Sequence, residues 1–544
     1  MKKLKKETFV QSILVLMLSQ VMIKLLGLAY KVYLTNKEGF GDIGNAIYNS
    51  GYQIYALLLA ISSIGVPNAI SKIVAERLAK GDKKGVKKIL RISIAFFSLV
   101  GLAGSLILFC GANHMANVWL QIPEAELTLV ALSPAIFFVS IASVIRGYFN
   151  GHQRMSTTAN SQTLEQVAKT FITILLVEII AIPTQNNVVF MAAGANLATT
   201  LSIVLSFAYL YKYYKAKNKE LEVEIKENNE EPSYATKSSK EIVKSVVQIS
   251  FPMTISSLVS SINRTIDSIT VVRLLKTFLT ENMAKFQYGV YAGKVDTLVG
   301  LPLSFNIAFA TVLVPSISKL LAKNEKRDAV KLIKSSLLST ILIALPCTFG
   351  MIVFAQPILD LLFPNASSGA LLLQITSITI IFMLMAQTIN GVLQAIGKYK
   401  APAIALGCGV IVKLILNFIL IPIPSIGING VAISSIVCHV ISFTIGFNVL
   451  RNTLNIKFSK GTFIVKPLFA TFAMCVCSHT LFLLLTKINI IAWQLSLIIS
   501  IMFAVLVYAY CVFKLKILSK EEIYRLPKGK VIYKILVKMK LYEE

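Results

Sequence analysis

Apolar runs long enough to cross a bilayer recur from one end of this 544-residue chain to the other. A membrane-spanning helix needs about 20 predominantly apolar residues, because its backbone polar groups must be satisfied inside the segment. Counting such runs gives fourteen, at approximately 8–34, 45–70, 91–112, 127–149, 157–182, 188–211, 245–275, 287–318, 335–356, 369–396, 401–422, 428–450, 463–486 and 489–513. The expected fold is an all-α polytopic membrane protein with fourteen transmembrane helices. Only 15% of residues are charged and the mean hydropathy is +0.71, far from the quarter charged that soluble chains average.

The net charge of +28 invites a nucleic-acid reading, but its distribution argues against one. With alternate loops assigned to opposite sides, 42 Lys and Arg fall in the N-terminus, the even-numbered loops and the tail, and four in the remaining loops. Short basic loops stay in the cytoplasm, so both termini are expected there. The charge is then topology, with attraction to anionic membrane lipids added.

Two halves of the chain repeat. GVPNAISKIVAERLAKGDKKGVKKIL (65–90) matches LVPSISKLLAKNEKRDAVKLIKSSL (313–337), and RGYFNGHQRM (146–155) matches NGVLQAIGKYK (390–400). The offset spans an even number of helices, so the halves are parallel repeats, an arrangement common in transporters. The expected organisation is an N-lobe (1–215, the first six helices), a cytoplasmic linker (216–244), a C-lobe (245–455), two extra helices (456–513) and a basic cytoplasmic tail (514–544). In VIYKILVKMKLY (531–542), Val531, Ile535 and Met539 recur at helical spacing among lysines, which suits a helix lying on the cytoplasmic leaflet.

Charged residues inside the spans are costly and mark function. Eight are basic (Lys24, Lys31, Arg146, Lys169, Arg264, Arg273, Lys294 and Lys413) and four acidic (Glu165, Glu178, Asp267 and Asp296). Glu165 with Lys169, four apart, and Arg264 with Asp267, three apart, have the spacing of helical ion pairs. A surplus of cations remains, which favours a cavity for an anionic substrate. Lys24 and Lys31, two turns apart, share one side of the first span. Lys413 and Asn417 are one turn apart. With Asp267 they form either an ion site, in which Lys413 serves as a tethered cation, or a structural Asp–Lys pair.

Other motifs carry less. GFGDIG (39–44) has GxGxxG spacing but lies in an outer loop between membrane helices, not between a strand and a helix. No GxxxxGK[ST] is present, and the four histidines are scattered. An enzyme acting on lipid pyrophosphates would show acids or histidines clustered near one face, and none are, so neither catalytic residues nor a metal or cofactor are expected.

The stretch YAGKVDTLVGLPLSFNIAFATVLVPSISK (291–319) resembles the eighth helix of MurJ-type lipid II flippases of the MOP exporter superfamily. Ile23 to Lys31, IKLLGLAYK, resembles their first helix, and Pro67-Asn68 followed by Lys72 the end of their second. The likeness is strongest to the Gram-positive branch that includes relatives of stage V sporulation protein B. It implies a MATE-like fold and alternating-access transport of lipid II, an undecaprenyl-pyrophosphate-linked glycan, to the outer leaflet for peptidoglycan synthesis. The family's cavity arginines correspond to Lys24, Lys31, Lys72 and Lys294, with Arg264 as a further substrate-binding cation. The last two helices would hold the lipid tail. The family's sodium site corresponds to Asp267, Lys413 and Asn417, where the lysine argues against sodium and leaves the membrane potential as the driving force. The alternatives are a flippase for another undecaprenyl-linked polysaccharide, or a MATE-type drug/cation antiporter, which would want acids in its cavity. A monomer in the bacterial cell membrane is expected.

Overall fold

The computed structural model describes residues 9–63, 65–227, 238–456, 458–459, 461–488, 491–525, 529–539 and 541–542. Secondary structure among them is entirely helical. Ten helical segments are long and apolar enough to cross a membrane, and a bent pair, Ser239–Phe251 with Thr254–Leu275, makes an eleventh. The pair bends by 51° where Pro252 interrupts the backbone, since proline has no N–H to continue the ladder. The other three expected spans, 8–34, 157–182 and 287–318, are also helical and carry charged side chains.

The chain divides into two compact units. The first comprises Met1–Thr297 with Leu406–Ser434, and the second Leu298–Ala405 with Ser435–Glu544. In the first, α1 (Phe9–Asn36), α2 (Gly41–Ser62), α3 (Val66–Ala79), α4 (Lys83–His114), α5 (Glu126–Gly151), α6 (Met155–Ala181), α7 (Val188–Glu227), α8 (Ser239–Leu275) and α9 (Glu281–Gly289) follow in order. The most enclosed is α5, which packs on α3, α4 and α7, while α6 packs on α1 and α7, and α2 on α5, α8 and α9. Pro134 inside α5 cannot donate to the Val130 carbonyl, and the Ser133 hydroxyl donates to it instead at 2.8 Å. Lipid offers no such partner, so the replacement lies within the protein.

The outward face of α4 shows the other half of the pattern. Leu99, Leu102, Leu106, Ile107 and Phe109 are exposed, as side chains that face hydrocarbon can be without cost. Stretch 216–244 is partly helical, because α7 runs on to Glu227 and α8 begins at Ser239, with 228–237 outside the described residues.

The helix α10 (Asp296–Val299) crosses the boundary between the units. The second unit then contains α11 (Leu301–Ala322), α12 (Lys326–Val353), α13 (Ala355–Leu362), α14 (Ala370–Ser377) and α15 (Thr379–Ala395). It also holds the start of α16 (Ala401–Leu420), most of α17 (Asn429–Leu454), α18 (Lys466–Ile488), α19 (Trp493–Lys514), α20 (Lys520–Arg525) and α21 (Gly529–Lys538). Here α11 packs on α12 and α15, and α12 on α18. Asn306 ties the first three together: its Nδ2 shares two hydrogens among the Leu384 carbonyl at 3.0 Å, Gln387 at 2.9 Å and Thr388 at 3.1 Å on α15, and its Oδ1 accepts from Thr340 on α12 at 3.4 Å. At the tail, Ile523, Tyr533 and Leu536 pack together, leaving Val531, Ile535 and Met539 exposed on α21.

The repeat is visible in backbone conformation. Gly81 and Asn324 occupy the same place in the repeated loop, and both are left-handed, at φ 74° and 61°. Glycine and asparagine are the residues that tolerate this region. Helices α4 and α12 then start at Lys83 and Lys326.

Candidate substrate-binding site

All eight residues singled out from the sequence belong to the first unit. Lys294 lies in a π-helical turn, Val290–Val295, that follows α9. Thr280 caps α9 by accepting the Met283 N–H at 3.4 Å. Two glycines let this segment lie directly on α2. A Cβ at Gly289 would stand 1.7 Å from the Asp42 carbonyl oxygen, and one at Gly293 would stand 2.4 Å from Asn45 Cγ. At that range Lys294 Nζ meets Asp42 Oδ2 at 2.9 Å, with side chains 0% and 1% exposed. The same turn directs the Tyr291 hydroxyl to Asp267 Oδ2 at 3.1 Å.

Asp267, Lys413 and Asn417 come together as their spacing predicted. Lys413 Nζ donates to Asp267 Oδ2 at 2.7 Å, and to the backbone and side-chain oxygens of Asn263 at 3.1 and 3.2 Å. Asn417 Nδ2 donates to Asp267 Oδ1 at 3.3 Å and to Thr270 at 3.1 Å, while Ser434 donates to Asn417 Oδ1. Two carboxylate oxygens thus receive an ammonium, an amide and a phenol, and the ammonium's three donors find three oxygens. A buried pair holds only when its remaining valences are met in this way.

Lys31 is half-buried, donating to Thr297 at 2.7 Å and Asn49 at 3.3 Å. Lys24 and Arg264 are exposed, and with Lys31 they lie within electrostatic reach of one another and of Asp296. Lys72 is exposed on α3.

Both ion pairs expected from spacing within one helix give way to pairs across helices. Glu165 bonds Arg146 on α5 at 2.7 Å, not Lys169. Asp267 takes Lys413, leaving Arg264 exposed. Arg146 is buried and fixed further by Ser161 at 3.1 Å and Ser206 at 3.0 Å. In this pair across helices Arg146 is only 9% exposed, while Glu165 keeps 27% exposure.

Lys169 instead lies over three tyrosine rings, with Nζ 5.1 Å from the centroid of Tyr30, 5.9 Å from Tyr48 and 4.6 Å from Tyr52. Sequence reasoning passed over Asp42 and this tyrosine group. Asp42 sat inside GFGDIG, which was set aside as a loop. Tyr48 and Tyr52, four apart, share one face of α2, but nothing in their spacing brings in Tyr30 of α1.

This arrangement of helices has known counterparts. The family model described as polysaccharide biosynthesis protein matches residues 9–321, more than half of the chain. The chain belongs to the polysaccharide biosynthesis protein family. A second model, described as MatE, matches residues 252–419. The chain is 25% identical to stage V sporulation protein B of Bacillus subtilis (strain 168) over 528 residues, covering 96% of this chain and 98% of that one. It is also 25% identical to the lipid II flippase MurJ of the same organism over 555 residues, again covering 96% and 98%. Among solved structures, the inward closed conformation of lipid II flippase MurJ superposes with a TM-score of 0.66 at 15% identity, covering 96% of this chain and all of that one. An inward-facing MATE multidrug transporter gives 0.64 at 16%, covering 81% and 98%. The chain is thus a multi-pass membrane protein with the MurJ and MATE fold.

Proposed function

We propose that this protein is a flippase that carries a lipid-linked glycan precursor from the cytoplasmic to the outer leaflet of the bacterial cell membrane, with lipid II as the substrate. The reading rests on the charge balance at α1. Among the described residues, Lys24, Lys31 and Arg264 share one nearby carboxylate, Asp296, and Lys169 also lies within electrostatic reach of Lys31, so positive charge is in surplus by at least two. A pyrophosphate diester carries two negative charges. Unmatched cations inside a membrane protein are expensive unless an anion meets them, and the full-length kinship to a lipid II flippase supports a lipid pyrophosphate as that anion.

In this mechanism the pyrophosphate is bound by Lys24, Lys31 and Arg264, with Lys72 nearer the cytoplasmic entry. Lys294 joins once its bond to Asp42 opens. Lysine offers charge without the two-pronged geometry of arginine, so the headgroup is held by electrostatics more than by directed bonds. Rocking of the repeated lobes then exposes the site outward, while α18 and α19 shelter the polyprenyl tail. Both termini are cytoplasmic, the transporter works as a monomer, and no covalent chemistry is involved. Lys413 supplies the positive charge beside Asp267, so the driving force is the membrane potential, at roughly 2.3 kcal/mol per charge per 100 mV.

The test is depletion of an essential lipid II flippase in a bacterium supplied with this gene, reading outward lipid II exposure beside viability. Rescue that is lost in Lys24→Ala and Arg264→Ala, with both variants present in the membrane, is the expected result. Unimpaired rescue by both overturns the cavity assignment. No rescue by the well-expressed wild type moves the substrate to another undecaprenyl-linked polysaccharide, a reading favoured by the family match over 9–321.

A further inference from the structure

The first unit encloses a cavity of about 480 Å³ among α1, α2, α3, α5, α6 and α7. That lies within the roughly 300–1,000 Å³ of small-molecule sites and is far more than one ion needs. Five primary amides face it: Gln20, Gln162, Gln166, Asn68 and Asn150. Gln20 donates to Gln162 at 3.4 Å and Asn150 accepts from Thr158 at 2.7 Å, but an amide carries two donors and an acceptor, so the group retains capacity for a ligand that both gives and takes hydrogen bonds around its perimeter. Hydroxyl groups on a sugar ring have that character. Tyr52 and Tyr55 add ring surface to the same wall, which packs against the C–H face of a pyranose.

The charges at the wall complete the description. Arg146 and Glu165 line the cavity but neutralise each other at 2.7 Å. Lys169 also lines it, and among the described residues no carboxylate lies within ion-pair distance of its ammonium, which is instead spread over three tyrosine rings. Phenol faces moderate a cation without cancelling it. The cavity therefore keeps one positive charge available.

We infer that this cavity binds a saccharide bearing one acid group, of the sugar-phosphate kind, through its five amides and Lys169. The inference rests on the flippase reading and extends it by giving the glycan its own recognition site, apart from the cations at α1. The same chemistry is offered by the first sugar of a lipid-linked glycan and by a free sugar phosphate.

Isothermal calorimetry on the full chain in detergent tests it, with N-acetylglucosamine 1-phosphate, N-acetylglucosamine and inorganic phosphate as probes. The sugar phosphate is expected to bind, the neutral sugar more weakly, and inorganic phosphate not to compete at equal concentration. Gln162→Leu is expected to weaken both sugars by about tenfold, and Lys169→Met the sugar phosphate alone by a similar factor, while Lys169→Arg retains binding. Absence of sugar phosphate binding by the monodisperse wild type overturns the proposal. So does equal binding of inorganic phosphate that Gln162→Leu leaves unchanged, which would make this a plain anion site. Competition by lipid-linked glycan in nanodiscs identifies the source as the transported headgroup, and its absence identifies a soluble metabolite. Flipping that persists in a chain that fails to bind sugar phosphate sinks this inference alone. Binding in a chain that fails to flip sinks the transport reading alone.

Discussion

Lys294 and Asp42 stand 252 positions apart in the chain and 2.9 Å apart in space, each nearly sealed from solvent. Removing the lysine leaves a carboxylate with no counter-charge, so Lys294→Ala is expected to cost about 3–5 kcal/mol. Replacing both, as Asp42→Asn with Lys294→Met, removes the uncompensated charge and is expected to recover most of that loss. Thermal unfolding of the purified variants measures this. Recovered stability without recovered transport would show that the lysine also serves the substrate, and full recovery of both would confine it to structure.

Asp267 is already met by an ammonium, so the proposed flippase is expected to work without sodium. Transport by the wild type is expected to be the same within about twofold when sodium is replaced by potassium. Lys413→Ala exposes the carboxylate and is expected to lose transport in potassium. A wild type that needs sodium would show that Lys413 leaves the site during the cycle.

In the second unit Asn306 is fully buried and joins α11 to α15, with Thr340 on α12 bonded to Thr388 at 2.8 Å. Asn306→Leu leaves the Gln387 side-chain oxygen without this donor and takes an acceptor from Thr340 and Thr388, which still bond each other. The expected cost is about 1–3 kcal/mol, toward the lower end because hydrogen bonds between membrane helices average roughly 0.6 kcal/mol. Denaturant unfolding in mixed micelles reads it directly.

The segment before α9 responds to acid. Lys285 at 2.6 Å and Lys276 at 3.0 Å hold the Glu281 carboxyl below the usual glutamate range. A group depressed in the folded state stabilises it above the unfolded pKa of about 4.3 and loses that contribution as pH falls through the folded value. Melting temperature is therefore expected to drop below pH about 4, and Glu281→Gln to flatten that limb by bringing neutral-pH stability slightly down to the acid level, which it leaves unchanged. Because the side chain is well exposed, the effect is small and shrinks further in salt.

Much of this was legible in the residues. The apolar runs located the helices, because hydrocarbon forces backbone bonding inside each segment. One turn of separation between Lys413 and Asn417 put both on the face that meets Asp267. What could not be read was which partner a charge chooses. Glu165 had Lys169 one turn away and took Arg146, because the packing of α5 on α6 sets that distance and spacing along α6 does not. Asp42 was hidden by its glycine-rich surroundings, and only the close approach at Gly289 reveals why it faces Lys294. The cage around Lys169 draws Tyr30 from α1 and Tyr48 and Tyr52 from α2, a juxtaposition with no signature along the chain.

The π-helical turn at Val290–Val295 has a consequence for insertions and deletions. Residues along a helix are about 100° apart around its axis, and the wide turn carries one residue more than α geometry needs. Deleting one residue there would restore a regular helix yet swing Tyr291 and Lys294 relative to each other, so that Asp267 and Asp42 could not both be reached. The chain is thus far less tolerant of a length change in these six residues than of most substitutions, and a lineage that shortened the turn would have to rebuild both bonds at once.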